Sequence, residues 1–127
     1  MKVTSYRDLV AWQRGMALAK MVYVATAQLP REEVFGLKSQ MRRCAVSVPS
    51  NIAEGQGRTT RGEFHQFLGQ ARGSLYELET QTQLAAELGY FPMEQREALV
   101  RETRELGRIL NGLMTSIRPA PANLSTR

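Results

Sequence analysis

Residues 47–64 read SVPSNIAEGQGRTTRGEF. Pro49, Gly55 and Gly57 interrupt an otherwise helical composition, and Arg58 and Arg61 follow close behind. Such a stretch is either a phosphate-binding loop or the hinge of a helical hairpin. A P-loop needs a preceding strand, a longer glycine spacing and a Lys-Ser or Lys-Thr pair, and none of these is present. Upstream, Leu37, Met41, Cys44, Val48 and Ile52 recur at intervals of three and four, so they line one face of a helix. That spacing runs unbroken across Pro49, although an interior proline loses a hydrogen bond and costs about 3 kcal/mol. The prediction is therefore one proline-kinked helix from about Phe35 to Gly55. Ser47 and Ser50 would offer hydroxyls to the backbone groups that the proline frees. Gly55 and Gly57 would supply positive backbone angles in the turn. Thr60 with Glu63 reads as a capping box that opens the next helix. The backbone N–H groups at that helix start, with Arg58 and Arg61 beside them, also offer a place for a nucleic-acid phosphate.

Three further helices flank this hinge. The first is expected after Ser5, an N-cap with Asp8 three residues on, and runs to about Leu29. Leu9, Met16, Ala17, Val24 and Ala27 form its main apolar stripe. Trp12 and Tyr23 widen that stripe, which suggests burial on more than one side. The third carries Phe64, Phe67, Leu68, Ala71, Leu75, Leu78 and Ala85 on its core face and ends around Leu88-Gly89. The fourth starts near Pro92 and repeats Leu99, Thr103, Leu106, Leu110, Leu113 and Ile117, the seam of a bundle. Pro119 and Pro121 stop it. Four long helices with short connections give an all-α, antiparallel, up-and-down four-helix bundle over residues 1–118, with 119–127 as a loose tail.

The 127 residues suit one domain. No apolar run approaches the roughly 18 residues of a membrane span, and arginines inside the first apolar stretch argue against a signal peptide. A cytoplasmic protein is expected, with no membrane partner. The net charge of +5 is uneven: residues 1–30 and 31–72 each carry +3, and residues 73–127 carry −1. The cationic part is consistent with a polyanion partner. Glu94, Glu97, Glu102 and Glu105 make the fourth helix a poor nucleic-acid surface, its acids being solvated or paired, as Glu97 with Arg101 would be.

Catalytic chemistry finds little support. His65 and Cys44 are each the only residue of their type, and no acid stands three before His65, so no metal site is expected. A hydrolytic set would draw on Asn51, Glu54 and His65. The competing reading makes Asn51 and Glu54 polar ties to backbone or to an arginine such as Arg72, with Cys44 a packing residue. No cofactor is expected.

The segments "SVPSNIAEGQGR", "EFHQFLGQARGSLYELETQ" and "LGY", with "LVAWQRGMAL" near the start, together resemble a bacterial family. It is the four-helix-bundle, 23S rRNA intervening-sequence protein family, known from reading frames inside large-subunit ribosomal RNA genes. The resemblance implies the bundle fold. It also implies kinship with the accessory protein of diversity-generating retroelements, a pentameric basic barrel that binds nucleic acid and works with a reverse transcriptase. No catalytic residues carry over.

Two surfaces follow as expectations. Lys38, Arg42, Arg43, Arg58, Arg61, His65 and Arg72, continued by Tyr76, are taken as a basic strip for the phosphates of RNA or DNA. Gly62, Gly69, Gly73 and Thr80 share one sector of the third helix and are taken as a homo-oligomer interface, a pentamer by resemblance. Within a monomer, the same glycines would make room for a bulky neighbour such as Trp12. The expected protein is non-enzymatic and binds nucleic acid. The alternatives are a protein-binding scaffold or hub, with a reverse transcriptase as one possible partner, and, more distantly, a small hydrolase.

Overall fold

The computed structural model describes residues 5–118. After a 3-10 turn at Tyr6–Asp8, the chain forms α1 (Val10–Thr26), a second 3-10 turn (Arg31–Glu33), α2 (Leu37–Gln56), α3 (Arg61–Glu87) and α4 (Met93–Ser116). Each helix packs on its sequence neighbour, and α1 closes the ring against α4. Cross-helix bonds fix the sense of packing. Arg42, early in α2, reaches Thr26 at the end of α1, and Arg96, early in α4, reaches Gln83 near the end of α3. The result is the antiparallel four-helix bundle expected from the sequence.

The core is continuous. Leu18, Val22, Met41, Val48, Ile52, Leu68, Leu75, Leu78, Leu99, Leu106 and Leu110 are essentially inaccessible to solvent. Each such side chain contributes about 1.5–3 kcal/mol of burial. Thr26, Thr82 and Thr103 share this interior because each hydroxyl donates to the carbonyl four residues back, at 2.6–2.7 Å. No buried hydroxyl is then left unpaired at those positions.

The expected face of α1 is corrected. Met16, Ala17, Val24 and Ala27 are exposed, and the buried face is Ala11, Gly15, Leu18, Ala19, Val22 and Ala25. Small residues face inward because α1 comes close to α2. A Cβ placed on Gly15 would sit 3.4 Å from the Pro49 side chain. The helix limits are corrected too. Ser5 caps only the first 3-10 turn, accepting from the Arg7 N–H at 3.2 Å, and α1 begins five residues later and ends at Thr26 rather than Leu29.

The stretch 47–64 is a helix end and a turn. α2 runs without interruption through Pro49. The hydroxyl of Ser47 pairs with that of Ser74 on α3 at 2.8 Å and accepts from Asn51, so it is not spent on the proline's vacated carbonyl. Gly55 and Gly57 do not adopt positive φ; that conformation belongs to Gly89 alone among the described residues. Gly55 is instead a contact point. A Cβ there would lie 2.7 Å from Phe67 Cβ and 3.0 Å from Phe64 Cδ1. Thr60 caps α3 as expected, accepting the Glu63 N–H at 3.1 Å. The carboxylate of Glu63 returns to the hydroxyls of Thr59 and Thr60 instead of the capping backbone N–H.

Gly89, at φ +77°, ends α3 as the sequence predicts. Tyr90 N–H bonds the Ala85 carbonyl at 2.9 Å and Gly89 N–H bonds that of Ala86 at 3.0 Å, the paired closure of a Schellman motif. Gly89→Ala is expected to cost about 1–2 kcal/mol, the penalty for a side chain in the left-handed region, measured as a shift in the urea midpoint.

The same end of the bundle carries a polar latch. Glu33 accepts from the Leu37 N–H at 2.9 Å and from the Tyr90 hydroxyl at 2.9 Å, joining the α1–α2 and α3–α4 connections. The Leu37 bond, then the Tyr90 bond, hold the Glu33 carboxyl below the usual carboxylate range. A depressed native pKa stabilises the fold above the carboxyl's unfolded value, and this is lost as pH falls through the native one. Glu33→Gln is therefore expected to be less stable than wild type at pH 7, with the gap closing in acid. Urea unfolding at both ends of that range checks this.

Candidate nucleic-acid interface

The seven candidate basic residues do not form one strip. Lys38 and Arg58 bracket α2, twenty residues apart, which is about 30 Å at 1.5 Å per residue. Lys38, Arg42 and Arg43 gather in a groove of about 530 Å³ between α1 and α2, with Tyr23, Val34 and Val46 as its apolar wall. His65 and Arg72 lie in another, between α3 and α4.

Several of these cations are already engaged. Arg42 donates to Thr26 Oγ1 at 2.8 Å and to the Tyr23 carbonyl at 3.1 Å, and its guanidinium stacks 4.3 Å from the Tyr23 ring. It thereby serves the carbonyl end of α1, where a cation is favoured. Arg58 pairs with Glu54 at 2.7 Å and sits 4.7 Å from the Phe67 ring centre. Arg58, and not Arg72, is thus the partner of Glu54. Lys38, Arg43 and Arg61 make no ion pair among the described residues.

The α3–α4 groove has a different character. About 440 Å³ in volume, it is lined, among the described residues, by His65, Arg72, Asn111, Thr115 and Arg118, with Met114 the one apolar side chain and no carboxylate. Arg72 Nη1 donates to Asn111 Oδ1 at 2.9 Å, which fixes the guanidinium against α4. Arg61 stands one turn before His65 on α3. Sequence reading missed Asn111 and Arg118, because the predicted antiparallel topology sets the end of α4 beside the start of α3 but not which side chains of the two helices meet there. Two of the four acids of α4 are paired, Glu102 with Arg14 at 3.2 Å and Glu105 with Arg108, whereas Glu97 and Arg101 form no ion pair among the described residues.

The small-residue sector of α3 points mostly outward. Gly73 has nothing within 4 Å of where a Cβ would be, and Gly69 meets only Met114 Cε at 3.9 Å. Thr80 is exposed, its hydroxyl turned back to the Tyr76 carbonyl. Gly62 is exposed at the start of the helix. None of these makes room for Trp12, which packs edge-on against Tyr6, with Arg7 over both rings.

The hydrolytic residues do not converge. Asn51 donates to the Ser47 carbonyl and hydroxyl, Glu54 is paired in the turn, and His65 faces α4. Burial, the largest influence, pushes the Cys44 thiol up, which keeps it protonated and a poor nucleophile. No group of three or more metal-ligating side chains occurs among the described residues, and no described helix is long and apolar enough to cross a membrane.

Fold and surface together define a small all-α bundle whose polar groove offers positive charge and hydrogen bonds but no assembled nucleophile, base and orienting group. Sequence comparison makes this specific. The chain belongs to the 23S rRNA-intervening sequence protein family, whose family model matches residues 7–112. Among solved structures it is similar to a protein of unknown function from the S23 ribosomal protein family of Bacteroides thetaiotaomicron. The two superpose with a TM-score of 0.76 at 21% identity, over 84% of this chain and 96% of the other. That likeness confirms the four-helix fold. No curated protein matches the chain.

Proposed function

We propose that this protein is a non-enzymatic nucleic-acid-binding bundle that holds phosphates in the groove between α3 and α4. The observation that carries the reading is the composition of that groove: His65, Arg72 and Arg118 converge there with Asn111 and Thr115, and no carboxylate of the described residues competes. Phosphate oxygens accept hydrogen bonds from guanidinium and amide donors, and Arg72 is pre-oriented by its bond to Asn111. Arg61, exposed at the first turn of α3, adds charge beside the positive end of the helix. The resemblance to retroelement accessory proteins supports the same function. Sequence preference is expected to be slight, since the groove offers phosphate contacts and no side chains set to read base edges.

The test is fluorescence anisotropy of labelled RNA and DNA oligonucleotides across a salt series. Binding at low salt that weakens steeply as salt rises is the expected result. Absence of binding at low salt would refute it.

The alternative of a protein-binding hub has its own observation. The α1–α2 face is apolar where it should be polar, and its basic residues sit among apolar side chains. We assign Lys38 and Arg43 to protein contact on that ground, and leave phosphate binding to the polar groove.

A further inference from the structure

The polar groove between α3 and α4 is short, and its inner end is blocked. His65 and Arg72 stand two helical turns apart on α3, about 10 Å at the helical rise. α4 runs antiparallel, and the same step from Asn111 brings Arg118, just past its end, level with His65. Arg72 and Asn111 join across the groove at 2.9 Å. Two turns further along α3, and two turns back along α4, Glu79 and Arg104 join across the same helix pair at 3.1 Å. Beyond Arg72 the surface therefore changes sign. The next groove along this pair shares no lining residue with the first and carries the Glu79 carboxylate. Both of its arginines are engaged, Arg104 by Glu79 and Arg96 by Gln83. At the other end the polar groove reaches the first turns of α3, where Arg61 is exposed.

A strand lying along the groove meets this asymmetry directly. At 3.4 Å per nucleotide of a stacked strand, the cationic section takes about three nucleotides. A strand that ran on past Arg72 would carry its phosphates onto Glu79, and like charges oppose that path. A strand that enters beside Arg61 therefore stops at Arg72. The group best suited to that stop is a terminal phosphate. A phosphomonoester carries about −1.5 to −2 charges at pH 7 and three strong acceptor oxygens, whereas each backbone diester carries a single charge. The donors at the stop match it. Arg72 commits only Nη1 to Asn111 and keeps the rest of its fork for an anion. Asn111 Oδ1 is taken by Arg72, which leaves its amide N–H₂ to donate. The Thr115 hydroxyl spends its proton on the Asn111 carbonyl at 2.9 Å and is left as an acceptor.

Building on the phosphate-binding reading above, we infer that this groove is a dead end that receives the phosphorylated terminus of a nucleic-acid strand. The terminal monoester lies against Arg72 and Asn111. His65 and Arg118, two turns nearer the entrance, take the diesters that follow, and Arg61 guides the strand in. The interior of a strand has no free monoester and cannot stop there, so the site distinguishes ends from middles without reading bases.

One single-stranded sequence, labelled at an internal base, tests this in four forms: with a 5′-phosphate, with a 3′-phosphate, with hydroxyls at both ends, and closed into a circle. Anisotropy at one low salt concentration is expected to show at least one phosphorylated form binding about tenfold tighter than the hydroxyl form, the worth of about one charge-assisted hydrogen bond. Whichever form gains identifies the end that is held. The circle has every diester and no end, and should bind no better than the hydroxyl form. Arg72→Gln is expected to erase the tenfold advantage while weakening the hydroxyl form less. Arg118→Gln, at an exposed position, should weaken all linear forms together and preserve the ratio. Circular dichroism verifies that both variants fold, and the four-form comparison on wild type decides the matter without them. Equal binding of the four forms would overturn the dead end and leave the phosphate-binding reading standing. No binding of any form would overturn both. Loss of the ratio in Arg118→Gln but not in Arg72→Gln would overturn the placement of the terminal group. A nucleoside monophosphate that binds as tightly as the phosphorylated strand would show a small-molecule pocket and also overturn the proposal.

Discussion

Gly55→Ala should destabilise the bundle, although alanine is the better helix former. An interior helical glycine replaced by alanine ordinarily gains about 0.5–1 kcal/mol. At position 55 the new methyl would sit 2.7 Å from Phe67 Cβ and 3.4 Å from the carbonyl oxygen of Phe64. Both obstacles are held close to the α3 backbone, so no rotamer change relieves them. The helices must separate, and overpacking of this kind costs about 1–3 kcal/mol. Gly112→Ala is the control: it is helical, with nothing within 4 Å of the added carbon. Gly57→Ala is intermediate, since its nearest neighbour would be the Glu54 carbonyl at 3.6 Å, an ordinary contact. Urea denaturation of the three variants should rank them Gly112→Ala above wild type and Gly55→Ala well below it. A Gly55→Ala protein as stable as wild type would mean that α2 and α3 do not meet at Phe64 and Phe67.

The glycines of this hinge illustrate what the sequence can and cannot disclose. Its punctuation was legible: Thr60 caps, Gly89 reverses the chain and Pro92 opens α4. These are local requirements, written in local residue types. The stripe on α2 was legible through Pro49 because its three-and-four spacing is independent of the proline. The role of Gly55 was not, since the reason for a glycine there is the position of Phe67 on another helix. α1 shows the same limit more sharply. Bulky Met16, Tyr23 and Val24 suggest an apolar stripe, yet they are exposed, and the buried face sets Leu18 and Val22 among the small Ala11, Gly15, Ala19 and Ala25. Close approach of α1 to Pro49 rewards Gly15 and Ala19, and that approach is a tertiary fact. The basic residues could be counted but not sorted. Arg42 looks as available as Arg43 in sequence, and only the fold shows it spent on Thr26 and Tyr23.

Arg61→Glu with Arg118→Glu is expected to weaken nucleic-acid binding strongly while leaving the bundle folded. Both side chains are exposed, and neither makes an ion pair among the described residues. Glutamate at the first position of α3 complements the positive end of the helix, so folding does not suffer there. The effect on binding follows from counterions. Each phosphate neutralised on duplex DNA steepens the dependence of log K on log salt by about 0.9. Two lost contacts make that slope shallower by about 1.8, so the advantage of wild type over the double variant shrinks about twelvefold between 50 and 200 mM salt. Repulsion by the new carboxylates widens the gap further at the low-salt end. Lys38→Glu with Arg43→Glu reverses the same amount of charge on the α1–α2 side and separates a local contact from a general one. A groove that holds phosphate predicts an unchanged slope for that pair. Equal slope changes from both pairs would show a diffuse response to net charge, and the phosphate site between α3 and α4 would have to be abandoned.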